Sequence, residues 1–180
     1  MKNVLKYYFG LVFLFLVITS CDDDDPEAYN DQELITKLVL TLEKNGVVVE
    51  TATFSDKDGI GGTAPTIEGL TLEANTTYAA KITIFDESKT PIIDITEEIE
   101  KEKEEHQFFF TPSIDLKLTT SYKDKDSNNQ PVGLEVEIKT TEVSSGTLKV
   151  VLKHEPIKSS TNAINTGETD IEVDFPVSIL

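Results

Sequence analysis

The sequence predicts an all-β protein, an antiparallel β-sandwich with about nine strands and one short helix. Apolar residues recur at every second position in separate segments from Leu34 to the C-terminus. Charged residues fill the opposite phase of these segments, and turn-forming residues separate them. Each predicted strand therefore has one apolar and one charged face, as antiparallel sheets with one solvated side require.

The predicted strands are joined by short turns. In the first, LITKLVLTLE, the leucines from Leu34 to Leu42 share one face. Asn45-Gly46 then gives a strong type I′ hairpin signal before VVVETATF returns. The inward residues of the later strands are Tyr78, Ala80, Ile82 and Ile84; Ile114, Leu116, Leu118 and Tyr122; Val132, Leu134, Val136 and Ile138; Leu148, Val150 and Leu152; and Ile171, Val173, Phe175, Val177 and Ile179.

One segment, DITEEIEKEKEEH, predicts a short helix near residues 95–105. Asp94 can cap its N-terminus, and Glu97 three residues later can bond back to the cap. Ile95 and Ile99 supply only a narrow apolar stripe. We therefore expect a solvated helix lying across a sheet edge, followed by QFFFT as a closing strand.

The first residues, 1–20, are typical of a lipoprotein signal peptide. Lys2 and Lys6 precede an apolar run, residues 9–18, that is too short to span a bilayer. The small residues before Cys21 resemble a bacterial lipobox, which implies lipid attachment to the Cys21 sulfur and cleavage before it. Such a protein is anchored to a membrane through acyl chains. A plain signal peptide and an uncleaved anchor are the alternatives.

The amino-acid composition limits the kinds of molecule that the protein is expected to bind. The chain carries a net charge of −17 and contains no arginine, so it lacks the side chain that binds phosphate bidentately. An acidic surface also repels a nucleic-acid backbone, and we expect no nucleic-acid partner. Cys21 is the only cysteine, so stability must come from burial and not from disulfides.

Two related β units are expected in the folded part, at 31–112 and 113–180, with the second packed on the first. Similar sequences, TATFSDKDG and TTSYKDKDS, end a strand in each. GLTLEANTTYAAKI also resembles a stretch of fibronectin type III and immunoglobulin-like modules, which implies a sandwich of that kind. The resemblance makes Tyr78 the tyrosine-corner residue, with a buried ring and a hydroxyl bonded to nearby backbone.

A family resemblance covers nearly all of the chain after Cys21. GGTAPTI, LEANTTYAAKITIFDES, SSGTLKVVLKHEPIK and GETDIEVDFPVSI resemble small Bacteroidota lipoproteins often named type 1 periplasmic binding fold superfamily proteins. The fold in that name has two doubly wound α/β lobes, whereas the strand pattern here predicts no such alternation.

Residues 21–32 form an acidic tether in this interpretation, beginning with Asp22, Asp23, Asp24 and Asp25. A short acidic run after the cysteine of Bacteroidota-like lipoproteins resembles a signal for display on the outer face. In enterobacterial sorting, aspartate there resembles an inner-membrane retention signal. The family resemblance favours the first, and we expect a lipid-anchored protein of the outer membrane facing the cell exterior.

Reactive chemistry is sparse. His106 and His154 are the only histidines, and a hydrolase or metal site using them requires that the fold bring them together. His154 begins the tripeptide HEP, where Glu155 could join such a site. No nucleophile elbow, phosphate loop or zincin helix is present.

A candidate calcium loop follows the predicted strand that ends at Tyr122. Asp124, Asp126, Asn128 and Glu135 have the spacing of positions 1, 3, 5 and 12 of an EF-type loop. Asn129 stands at the sixth place, where glycine is usual, and strands flank the loop. A polar hairpin loop without metal is the alternative.

Together these features predict a non-enzymatic surface lipoprotein, a binding or accessory module for an outer-membrane receptor or an extracellular ligand. The alternatives are a structural or adhesive surface component and a hydrolase or metal-binding protein using the histidines. Membrane contact is expected through the lipid anchor, and calcium is the one candidate cofactor.

Overall fold

The computed structural model describes residues 34–59 and 61–180. The predictions for the signal peptide, Cys21 and the acidic tether lie outside these residues. These described residues all belong to one compact unit.

Among the described residues, the first sheet has seven strands. Six run in the order β3-β2-β1-β5-β9-β8, and β6 pairs with β5 off this path. The bounds are β1 Lys37–Lys44, β2 Val47–Ser55, β3 Thr66–Glu68, β5 Thr77–Asp86, β6 Ile93–Asp94, β8 Leu118–Tyr122 and β9 Glu135–Thr140. The β1–β2 hairpin turns at Asn45 and Gly46, both with positive φ, as a type I′ turn requires.

The second sheet, in the part of the chain that the structure describes, has four strands in the order β4-β11-β10-β7. Their bounds are β4 Leu70–Leu72, β7 His106–Pro112, β10 Ser144–His154 and β11 Glu168–Ile179. Pairing is antiparallel except between β4 and β11, which run parallel. A single residue, Gly69, separates β3 from β4, so the chain changes sheets there.

The two sheets share one apolar core, and the prediction of an all-β sandwich is confirmed. Side chains of both sheets, such as Leu40, Ile82, Phe108, Val150 and Phe175, are fully buried in it. Strands from 31–112 and from 113–180 occur in both sheets, so the two segments build one sandwich together.

The helix is shorter than the sequence pattern suggests. α1 spans Thr96–Lys101, and its N-cap is Ile95 with no side-chain cap. Asp94 instead ends β6, where its carboxylate accepts a hydrogen bond of 2.9 Å from the Thr96 amide. Ile99 is buried, whereas the glutamates of the helix are exposed.

Two predicted inward residues are exposed, and one predicted strand begins later in the chain than expected. Leu34 precedes β1 and is 49% exposed, and Ile114 lies in a turn and is 93% exposed. Val132 and Leu134 are buried but lie before β9 begins. Their backbone carbonyl groups form hydrogen bonds with other strands. The Val132 carbonyl oxygen accepts from the Phe108 N–H of β7, and the Leu134 carbonyl oxygen accepts from the Ile82 N–H of β5.

Tyr78 is buried at the start of β5. Its hydroxyl oxygen accepts a hydrogen bond of 2.8 Å from the Glu73 backbone N–H, five residues upstream. This is the geometry of a tyrosine corner, and it fixes the entry of the chain into β5.

Candidate functional site

The two histidines meet at one end of the second sheet. In the register of β7 and β10, His106 lies directly opposite His154. Their rings stack with centroids 4.8 Å apart and an interplanar angle of 15°. His106 is buried and His154 is half-buried, so the pair presents one ring toward solvent.

The backbone after β10 is held tightly at this end. Glu155 has a left-handed conformation with a φ of 49°, and its N–H donates to the Glu105 carbonyl oxygen at 2.6 Å. Gly167, with a φ of 68°, packs so closely that a Cβ there would lie 2.2 Å from the His154 carbonyl oxygen. The turn therefore holds Glu155 beside Glu105, one residue from each histidine.

Carboxylates surround the stacked rings. Glu105 Oε2 lies 3.9 Å from His154 Nε2, and Asp170 Oδ2 lies 3.9 Å from His106 Nε2. His106 Nδ1 is 3.2 Å from the Glu102 carbonyl oxygen, which is a suitable acceptor for a proton on that nitrogen. We call Glu105, His106, His154, Glu155 and Asp170 the histidine cluster.

Burial shifts the pKa values of two residues in the histidine cluster, His106 and Asp170. Desolvation lowers the pKa of His106 from its ordinary value, although the Glu102 backbone oxygen acts in the opposite direction. Desolvation also raises the pKa of the Asp170 carboxyl to about 6. Near neutral pH the buried His106 imidazole is therefore favoured in its neutral form.

Ligand atoms of Glu105, His154 and Glu155 all lie within 4.8 Å of one another. The sequence pointed to both histidines and to Glu155 but gave no indication of Glu105 or Asp170. Glu105 lies near His154 because β7 and β10 pair with His106 opposite His154. Asp170 belongs to a third strand, β11.

The candidate calcium residues have other partners. The Asp124 carboxylate accepts backbone hydrogen bonds from Gly133 at 2.8 Å, Leu134 at 2.8 Å and Glu135 at 3.1 Å. Asp126 is buried and lies 3.1 Å from the ammonium of Lys158.

Asp126 also accepts backbone hydrogen bonds from Asn128 at 2.9 Å and Gln130 at 2.8 Å. Burial opposes ionisation of its carboxyl, but these N–H groups and Lys158 together lower its pKa. The geometry is that of a loop held by its own aspartates, and calcium binding stays a prediction.

A second exposed feature is the tip of the β1–β2 hairpin. Val47, Val48 and Val49 are consecutive and are 63%, 54% and 46% exposed. Glu43 pairs with Val48 and Leu42 pairs with Glu50, so Val49 is the extra residue of a β-bulge. We call these three residues the valine tip.

Fold and site define a β-sandwich protein with a histidine cluster at a sheet end and an apolar hairpin tip. Comparison of the chain with protein-family models, curated proteins and solved structures gave no match. Across residues 34–59 and 61–180, no helix is long and apolar enough to cross a membrane.

Proposed function

We propose that the protein is a non-enzymatic lipoprotein of the cell surface. It is held to the outer membrane through lipid on Cys21 and serves as a binding or accessory module for an outer-membrane receptor or an extracellular ligand. The lipobox, the acidic run Asp22–Asp25 and the resemblance to small Bacteroidota lipoproteins support the location.

The valine tip is the observation that carries the binding role. Runs of three or more consecutive exposed apolar residues are unfavourable in a soluble protein unless they serve a function. By contrast, Leu38, Leu40 and Ala52 of the same hairpin point inward, all with 0% exposure. The tip therefore offers apolar contact area at an end of the sandwich where a partner can cover it.

Photo-crosslinking on intact cells tests this role. A photoreactive residue at Val48 should give a discrete crosslinked species, because the partner covers the tip. The matched control is Ser178, an exposed residue of β11 in the other sheet, and it should give none.

Replacing Val47 and Val49 with threonine should reduce the Val48 crosslink several-fold, because Thr keeps the β-branched shape but lowers apolarity. Equal crosslinking from positions 48 and 178, or none from position 48, would contradict the binding role. A crosslink to a second copy of this chain would instead favour the structural or adhesive alternative.

A further inference from the structure

We infer that Glu105, His154 and Glu155 form a binding site for a divalent transition-metal ion of the zinc class. The three residues offer one imidazole nitrogen and two carboxylate oxygens, all within 4.8 Å of one another. This inference is independent of the valine tip and of the lipid anchor.

The ligand set fits zinc better than calcium or magnesium. Zinc is bound by imidazole and carboxylate at about 2.0 to 2.2 Å, often with three protein ligands and a water. Calcium and magnesium prefer oxygen ligands alone. The imidazole of His154 therefore favours a metal that accepts a nitrogen ligand.

The required movement is small. Ligand atoms around a tetrahedral zinc ion lie roughly 3.4 Å apart, and His154 Nε2 is 3.9 Å from Glu105 Oε2. The Glu105 side chain is 58% exposed and the His154 side chain 20% exposed. Glu155 is also exposed, so rotation of the two glutamates can close the set without displacing core side chains.

The scaffold beneath the ligands is rigid. The backbone hydrogen bond of 2.6 Å from Glu155 to Glu105 fixes the two glutamates relative to each other. His106 stacks on the His154 ring and is itself held at the Glu102 carbonyl. A ligand ring whose orientation is fixed by its neighbours loses less freedom when it binds metal.

Asp170 supplies an independent sign that the cluster suits a cation. Its side chain is only 6% exposed, and its Oδ2 faces His106 without a hydrogen-bond partner among the described residues. A buried carboxylate without a partner is costly. A cation on the adjacent His154 would offset that cost, so the orphaned charge and the three ligands point to the same occupant.

Zinc titration of the full-length chain in detergent tests the site. Competition with a chromophoric chelator should show one high-affinity Zn²⁺ per chain, and Zn²⁺ should raise the melting temperature. Both effects should persist in the Cys21→Ser background, which removes any contribution from a free thiol. Equimolar Ca²⁺ or Mg²⁺ should not displace the zinc.

Variants locate the ligands. His154→Gln should abolish high-affinity binding, and Glu105→Gln and Glu155→Gln should each weaken it by about tenfold or more. Glu97→Gln, an exposed glutamate of α1 outside the cluster, should change nothing.

Melting of each variant without metal separates misfolding from lost coordination. Unchanged zinc affinity in a folded His154→Gln protein would overturn the inference. The absence of zinc binding to the folded wild-type chain, or its displacement by calcium, would overturn it equally.

Discussion

Replacing Gly167 with alanine is expected to lower the free energy of unfolding by about 2 to 5 kcal/mol. Gly167 has a φ of 68°, a conformation that costs an L-residue about 1 to 2 kcal/mol. The new Cβ would also lie 2.2 Å from the His154 carbonyl oxygen and 2.8 Å from the Pro156 nitrogen. Backbone atoms cannot rotate away, so the turn beside the histidine cluster must shift.

Gly46→Ala is the matched control for this substitution. Gly46 has a similar φ of 76°, but no atom of the described residues lies within 4 Å of the position its Cβ would take. Gly46→Ala should lower the free energy of unfolding only by the cost of the left-handed backbone conformation, about 1 to 2 kcal/mol. Urea unfolding followed by circular dichroism measures both variants, and equal losses would show that the close contact at Gly167 has no energetic weight.

Replacing Asp124 with alanine is expected to cost about 3 kcal/mol of stability, because three backbone N–H groups lose a charged acceptor at once. Two of the donors, Gly133 and Leu134, belong to buried residues. The same segment is hydrogen-bonded to both sheets. The Val132 carbonyl oxygen accepts from β7 of the second sheet, and the Leu134 carbonyl oxygen accepts from β5 of the first. Loss of Asp124 should therefore loosen both sheets together.

Asp58→Ala controls for the removal of an aspartate from a polar loop. The Asp58 carboxylate is exposed and accepts a backbone hydrogen bond of 2.8 Å from Thr63. Its removal should shift the urea midpoint little. An Asp124→Ala protein as stable as Asp58→Ala would mean that the backbone hydrogen bonds at Asp124 are replaced by water without cost.

The strands that could be predicted are those with a complete two-residue period. In β11, Ile171, Val173, Phe175, Val177 and Ile179 are all buried as expected, because alternation along one strand needs no knowledge of its partner. Near Ile114 the same pattern failed. The chain turns at that position, so Ile114 is exposed while Leu116 and Leu118 are buried.

The start of the helix and the contact between the two histidines could not be predicted from a local sequence pattern, because both depend on how the strands pair. Asp94 of β6 pairs with Phe85 of β5, and the N-cap position falls one residue later, on Ile95. Glu98 and Glu102, a like-charged pair one turn apart, also disfavour extension of the helix. His106 and His154 meet only because β7 and β10 pair in one particular register, a contact across 48 residues of sequence. The inferred zinc site depends on that register.

Protease treatment of intact cells tests whether the protein is lipid-anchored and displayed on the cell surface. The wild-type chain should be digested on intact cells and should fractionate with the outer membrane. Cys21→Ser should leave the membrane fraction, and replacement of Asp22–Asp25 with alanine should leave the protein lipidated but protected. A wild-type chain that resists protease until the cells are lysed would contradict surface display.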